Sequence, residues 1–240
     1  MSIQSPTTRA IVFDIETIPQ DEAKLLASLP PFDPADVKVG NLKDAEKIAA
    51  KIAEAEAKHK ARWLSEAALS PVTGRIAMIG TSEVIDGNTM QSATSTFYLD
   101  EGMPEETLLA GFWGFWESTL KQEYTIWVGH NVFDFDLPFM VNRSRILGVT
   151  VPRSVYSFKG GRVFWADRII DTRPVWLMGR KAADCPSSLD HIARALEVGE
   201  KSGSGSDFAA LFAADRAAAC AYCRKDLELT TAVAKRLAII

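Results

Sequence analysis

Ala10-Ile11-Val12-Phe13-Asp14-Ile15-Glu16-Thr17 is the stretch on which the fold turns. Its short, nearly continuous apolar run, Ala10 to Ile15, is what a strand covered on both faces looks like. Two acids break that run. Asp14 and Glu16 are two residues apart, so on a strand both side chains leave the same face. A pair of carboxylates at the end of a buried strand is costly without a counter-ion. Taken alone, however, Asp-x-Glu also arises by chance in many strands.

Working outward, Arg75 to Val84 and Thr94 to Leu99 read as two further strands, with Asp86-Gly87-Asn88 as a turn signal between them. Glu105 to Leu120 places Leu108, Leu109, Phe112, Phe115 and Trp116 at helical spacing. Thr125 to Val128 is a short strand. Asp136 to Leu147 follows as a helix that accepts Pro138 in its first turn. Arg168 to Ile170 is a strand and Ser188 to Leu196 a helix. Gly203-Ser204-Gly205-Ser206 is a flexible turn, and a last helix runs from Asp215, a good N-cap, to about Leu237. Strands first, then alternating helices and strands, predict a mixed α/β sheet with helices packed on it.

One segment interrupts this plan. Leu42 to Leu69 is rich in Ala, Lys and Glu, with Glu54/Lys58 and Glu56/Lys60 pairs at i,i+4. Ala45, Ile48, Ala49, Ile52, Ala55 and Trp63 make a narrow apolar stripe. It reads as one long helix inserted after the first strand, on the rim of a single domain spanning residues 1–240.

At 240 residues, 47% apolar and 24% charged, the chain can bury a full core as one domain. Its apolar runs are strand-length or broken by charge, so no membrane span is expected. The N-terminus has no hydrophobic signal core, and three cysteines cannot all pair; the expected setting is cytoplasmic and reducing. A net charge of −4 argues against a protein that coats nucleic acid indiscriminately. Local charge differs: Arg153, Lys159, Arg162, Arg168, Arg173, Arg180 and Lys181 are interleaved with Tyr156, Phe158, Phe164, Trp165 and Trp176. That mixture suits a single strand, or a solvated loop with a few core aromatics.

Two more motifs carry acids. Asn131-x-x-x-Phe135-Asp136 sits in the loop after a strand, where Asp136 opens a helix, either as a functional carboxylate or as a helix cap. Tyr222 and Asp226 are four apart on a helix and share a face, as a water-orienting pair or as a surface pair in an alanine-rich helix. Asp14, Glu16, Asp136 and Asp226 together would repel one another unless a cation held them, and hard oxygen ligands suit Mg²⁺ or Mn²⁺. A two-ion site of this kind cleaves phosphodiesters. Thr17 offers a hydroxyl or backbone N–H to a terminal nucleotide. Cys220-x-x-Cys223 lacks a second pair for zinc, Gly160-Gly161 is a hairpin turn rather than a phosphate loop, and Asp171 reads as a strand-end turn, with an approach to the site from behind its ligands as the alternative.

These three motifs resemble the DEDD, DnaQ-like 3′–5′ exonucleases of the ribonuclease H-like fold, and more narrowly the tyrosine subclass (DEDDy) and the proofreading domain of family B DNA polymerases. The matching residues are Phe13 to Thr17, Asn131 to Pro138, and Tyr222 to Asp226, with Ser188-Leu189-Asp190 to Leu196 similar to the helix before the third motif. The histidine subclass would have His at 221, where this chain has Ala, which sets His130 and His191 aside as catalytic bases. The resemblance implies a ribonuclease H-like, mixed five-stranded sheet flanked by helices, in a stand-alone version since no polymerase region follows.

The resemblance also implies roles. Asp14 would bridge two Mg²⁺ (or Mn²⁺) ions, Glu16 and Asp226 would complete the ion that activates water, and Asp136 would hold the second through water. Tyr222 would position the nucleophile, while Asn131 and Phe135 would touch the terminal nucleotides. The expected function is metal-dependent removal of 5′-mononucleotides from the 3′ end of single-stranded or frayed DNA. The alternatives are an exoribonuclease of the same fold and a non-catalytic nucleic-acid-binding or partner-docking module; no residue names a protein partner.

Overall fold

Alternation of apolar and polar residues, glycines at close approaches and well-capped helices account for the elements of the computed structural model, which describes residues 9–85, 95–98, 103–121, 125–201, 203 and 205–240. In chain order these are β1 (Arg9–Pro19), α1 (Glu22–Ala27), α2 (Ala45–Glu66), β2 (Gly74–Ile85), β3 (Ser95–Tyr98), α3 (Glu105–Leu120), β4 (Thr125–Gly129), α4 (Asp136–Ile146), β5 (Tyr156–Lys159), β6 (Arg162–Trp165), β7 (Ile169–Asp171), α5 (Thr172–Leu177), α6 (Leu189–Ala195), α7 (Phe208–Ala214) and α8 (Arg216–Arg236). The turn expected at Asp86-Gly87-Asn88 lies outside the described residues. No described helix is long and apolar enough to cross a membrane.

The chain divides into two compact units, one formed by residues up to Thr17 together with Ile76–Ile240, the other by Ile18–Arg75. The larger unit is built on a five-stranded sheet of order β3-β2-β1-β4-β7. Its strands are mixed in direction: β1 pairs with β4 and β4 with β7 in parallel, whereas β2 and β3 are antiparallel. In β1, Arg9 to Val12 face Thr125 to Val128, so Asp14 lies just past the last paired rung, beside the end of β4. Gly129 in turn pairs with Asp171, the last residue of β7. β4 and β7 therefore end level with Asp14 of β1, at a sheet edge where loops collect functional groups.

The period of two in β1 divides the core. Ala10 and Val12 pack with Val84, Val128, Leu227 and Ala234, beneath α8. On the opposite parity, Phe13 meets Trp127, which stacks on Trp116 (4.3 Å between centroids) and contacts Phe112 edge-on, all from the α3 side. Asp14 and Glu16 share the parity of Val12 and so face α8. α8 lies very close to the sheet at Gly80, where an added Cβ would come within 2.6 Å of Cys223 Sγ and 2.8 Å of Leu227 Cδ1. Asp215 caps α8, accepting from the Ala218 N–H (3.0 Å), as its sequence position predicts.

One buried ion pair ties three elements of this unit together. Glu105, at the start of α3, accepts from the Ile76 N–H in β2 (2.8 Å) and from Arg143 of α4 through two N–H···O contacts (3.0 and 2.6 Å). β5 and β6 form a separate two-stranded hairpin. Its turn, Gly160-Gly161, has φ of +57° and +76°, the pair of left-handed residues that a tight hairpin demands.

In the smaller unit, α2 runs unbroken for 22 residues after Asp44, whose carboxylate caps the Glu46 and Lys47 N–H groups. None of its residues is fully buried; the expected stripe is half-buried at Ile48, Ile52, Ala55 and Trp63. Trp63 Nε1 donates to the Leu25 carbonyl (2.9 Å), and His59 bonds the Pro30 carbonyl (3.0 Å), fastening the α1 region to the helix. α1, α5 and α7 have no counterpart in the sequence reading, because six- or seven-residue helices carry too few turns to register a period.

Candidate metal centre

β1 delivers Asp14 and Glu16, and α8 delivers Asp226 onto the same point: one oxygen from each of the three lies within 4.8 Å of the others. Glu16 and Asp226 are buried, and Asp14 keeps partial exposure. They line a cleft of about 420 Å³ together with Ile15, His130, Asn131, Phe135, Asp136, Arg173 and Tyr222. Asp136, the first residue of α4, stands apart from the triad. Its Oδ1 accepts the Ile15 N–H (3.0 Å), so it braces the strand that carries the other acids instead of capping its own helix.

Burial is what most disturbs these groups. It raises Asp14 to about 7, with the charge of Asp226 adding to the rise and that of Lys201 opposing it. Burial and then the Asp14 charge lift Glu16 and Asp136 well above the usual carboxylate range. Asp226 is raised by burial as well, against the pull of the Lys201 ammonium 2.6 Å from its Oδ2. Its Oδ1 is buried with no hydrogen-bond partner among the described residues. A single lysine thus leaves the cluster under-neutralised. Buried carboxylate oxygens, one of them orphaned, are a fitting donor set for a hard divalent cation.

Tyr222 sits one helical turn before Asp226. Its ring lies between Phe208 (5.8 Å) and the Lys201 ammonium (5.7 Å), and its buried hydroxyl has no partner among the described residues. Burial and the Asp226 charge raise that phenol to about 12. Lys201 was invisible in the sequence, a lone cation before a Ser/Gly turn. Asp190 positions it: one carboxylate oxygen accepts the Lys201 N–H (2.8 Å), the other accepts from Arg194 (2.9 Å).

The opposite wall is organised by Asp171. Its carboxylate accepts the N–H groups of Asn131 (2.8 Å), Phe133 (3.0 Å) and Arg173 (2.9 Å), which makes it a brace for the loop before α4 as well as the N-cap of α5. Asn131 is held with φ +61°, in the left-handed region. His130, tied to Thr172 Oγ1 (2.9 Å), is pushed down to about 4 by burial and by Arg173, so the imidazole is neutral. Among the expected substrate residues, Asn131 and Phe135 line the cleft; Thr17 does not.

The basic, aromatic segment disperses. Trp165 stacks on Phe133 (7° between planes), Tyr156 bonds Arg145 (3.0 Å) and Trp176 donates to the Pro186 carbonyl (3.2 Å), which leaves Phe158 and Phe164 as the exposed rings, on the β5–β6 hairpin. Cys220 and Cys223 are free thiols, and no metal-capable group of three among the described residues includes a cysteine.

No family model and no curated protein matches the chain. Among solved structures it is similar to the family B DNA polymerase from the hyperthermophilic archaeon Pyrobaculum calidifontis, with a TM-score of 0.58 and 17% identity. The match covers 96% of this chain and 24% of the polymerase, so the chain spans about a quarter of that protein. At this identity the likeness is one of fold.

Proposed function

We propose that the chain is a 3′–5′ exonuclease of the DEDDy type on a ribonuclease H-like fold, one domain over residues 1–240 with a helical insertion at about 41–70. It would remove 5′-mononucleotides from single-stranded or frayed DNA ends. The observation that carries this reading is the convergence of Asp14, Glu16 and Asp226 oxygens within 4.8 Å, one helical turn from an unpartnered Tyr222 hydroxyl. The polymerase-like fold supports it.

Asp14, Glu16 and Asp226 would hold one divalent ion, and Asp14 with Asp136 a second. Such ions supply Lewis acidity and neutralise the charge of the scissile phosphate. The chain's own residues do the rest. Tyr222, protonated at neutral pH, orients the attacking water by hydrogen bonding and does not deprotonate it. Lys201 adds positive charge beside Asp226. Asn131 and Phe135 seat the terminal nucleotide at the cleft wall. Water attacks the last phosphodiester, the bond from phosphorus to O3′ breaks, and O3′ leaves with a proton.

A 5′-labelled oligonucleotide incubated with Mg²⁺, with and without EDTA, tests direction and metal dependence together. A ladder receding from the 3′ end, abolished by EDTA, is the expected result; matched DNA and RNA strands report the sugar preference. Undiminished digestion by Asp226→Ala would overturn the mechanism.

A further inference from the structure

Two cations line the cleft, and they are differently placed. Lys201 is committed to Asp226 and acts on Asp14 and Glu16. Arg173 belongs to the other wall. Its backbone N–H is fixed by Asp171 Oδ1 (2.9 Å), and its Nε donates to Ser187 Oγ (3.2 Å). Nη1 donates to Asn131 Oδ1 and, at 3.3 Å, to Asp134 Oδ2, a carboxylate 78% exposed whose pull water screens. Nη2 has no partner among the described residues. Two of the three guanidinium nitrogens are therefore held and the third is open, the side chain being three-quarters buried in a cleft wall. Nη2 can donate a charge-assisted hydrogen bond to a phosphate oxygen, and holding the guanidinium in advance reduces the entropy lost on binding.

A polynucleotide running through the cleft brings more than one phosphate. The acid cluster, with its cations, is suited to the phosphate being cut; a phosphate farther along the strand needs a positive group of its own. Resting on the exonuclease reading, we propose that Arg173 is a substrate-binding residue that clamps a non-scissile phosphate through Nη2 while its Nη1 fixes the Asn131 carboxamide. The substrate class this implies is a strand of at least two phosphodiesters, not an isolated nucleotide ester. Asn131, its Oδ1 occupied, is left to present its Nδ2 donors.

Salt dependence separates this role from a merely structural one. Binding of a fluorescein-labelled oligothymidylate is followed by anisotropy with Ca²⁺ in place of Mg²⁺, a hard cation that takes the same oxygen ligands. Across about 50 to 300 mM KCl, each lost phosphate contact to a single strand flattens the log–log salt slope by about 0.7. Arg173→Gln is expected to weaken binding about tenfold at the low-salt end and to flatten the slope by that amount. Arg173→Lys, which keeps the charge and loses the bonds to Ser187 and Asn131 that fix the group, should retain the wild-type slope. An unchanged slope in Arg173→Gln, whatever its loss of affinity, would overturn the clamp and leave Arg173 only as a support for Asn131. That outcome with wild-type protein still digesting DNA sinks this inference alone; wild-type protein that neither binds nor digests the strand sinks the exonuclease reading with it.

Discussion

Two sets of charges are buried in the larger unit, and they are treated oppositely. Glu105 and Arg143, linking β2, α3 and α4, saturate each other: a two-point ion pair plus a backbone N–H use the carboxylate fully. Asp14, Glu16, Asp136 and Asp226 have one lysine among them, one orphaned oxygen and raised pKa values throughout. The first arrangement is complete as it stands and holds elements together. The second is paid for in stability and makes sense as a receptor for cations.

That contrast can be broken at either end. The largest expected effect is on the proposed chemistry: Asp226→Ala should reduce any exonuclease turnover of the wild type by about a thousandfold or more. The same variant, lacking an under-neutralised buried acid, should melt no lower than wild type in metal-free buffer, as read by calorimetry. Glu105→Ala should behave in reverse. Stranding Arg143 should cost about 3–5 kcal/mol in denaturant unfolding, while the folded fraction retains its turnover per molecule. If both variants lose stability alike, the distinction between the two sites is wrong.

Tyr222→Phe sharpens the picture on the catalytic side. Removing the hydroxyl should lower kcat about 10- to 100-fold with KM little changed; a pure KM effect would take away its water-orienting role. Gly80→Ala probes the packing that brings α8 to the sheet. Its methyl group, 2.6 Å from Cys223 Sγ, should cost about 1–3 kcal/mol and weaken cation binding together with stability.

The smallest effect is a slope. Because Asp14 is raised to about 7 in the folded chain, the folded state holds its proton more tightly than the unfolded one. Its stabilising contribution is complete below the unfolded carboxylate value and is lost as pH rises through about 7. Metal-free protein should therefore melt lower at pH 8 than at pH 5. Mg²⁺ or Mn²⁺, which require ionised ligands, should reverse that trend; a midpoint flat with pH and indifferent to metal would contradict the cation-receptor reading.

The reach of the sequence follows from what each signal depended on. β1, α3, α4 and α8 are legible because a period of two or 3.6, an aspartate cap and an apolar run all agree locally. The convergence of three carboxylates at the candidate metal centre is legible for the same reason: strand parity and helix spacing fix the side on which Asp14, Glu16 and Asp226 emerge. Lys201 and Arg173 were not, since a cation before a turn or after a strand looks the same in any surface loop; only Asp190 and Asp171, holding their backbone N–H groups, give them a place. Asp171 itself, a strand-end turn with an approach to the site as its alternative, braces the cleft by gathering three N–H groups from segments some forty residues apart. Trp165 and Trp176 fit a nucleic-acid stripe in the sequence and turn out to be engaged with the protein.

Asp14 comes from the first strand and Asp226 from the final helix, and nothing but the finished sheet brings them side by side. A growing polypeptide on the ribosome has the first carboxylate more than two hundred residues before its counterpart. On the exonuclease reading proposed above, cutting would be withheld from any product that stops before α8, and affinity for a divalent ion would double as a measure of how much of the protein has reached its native arrangement.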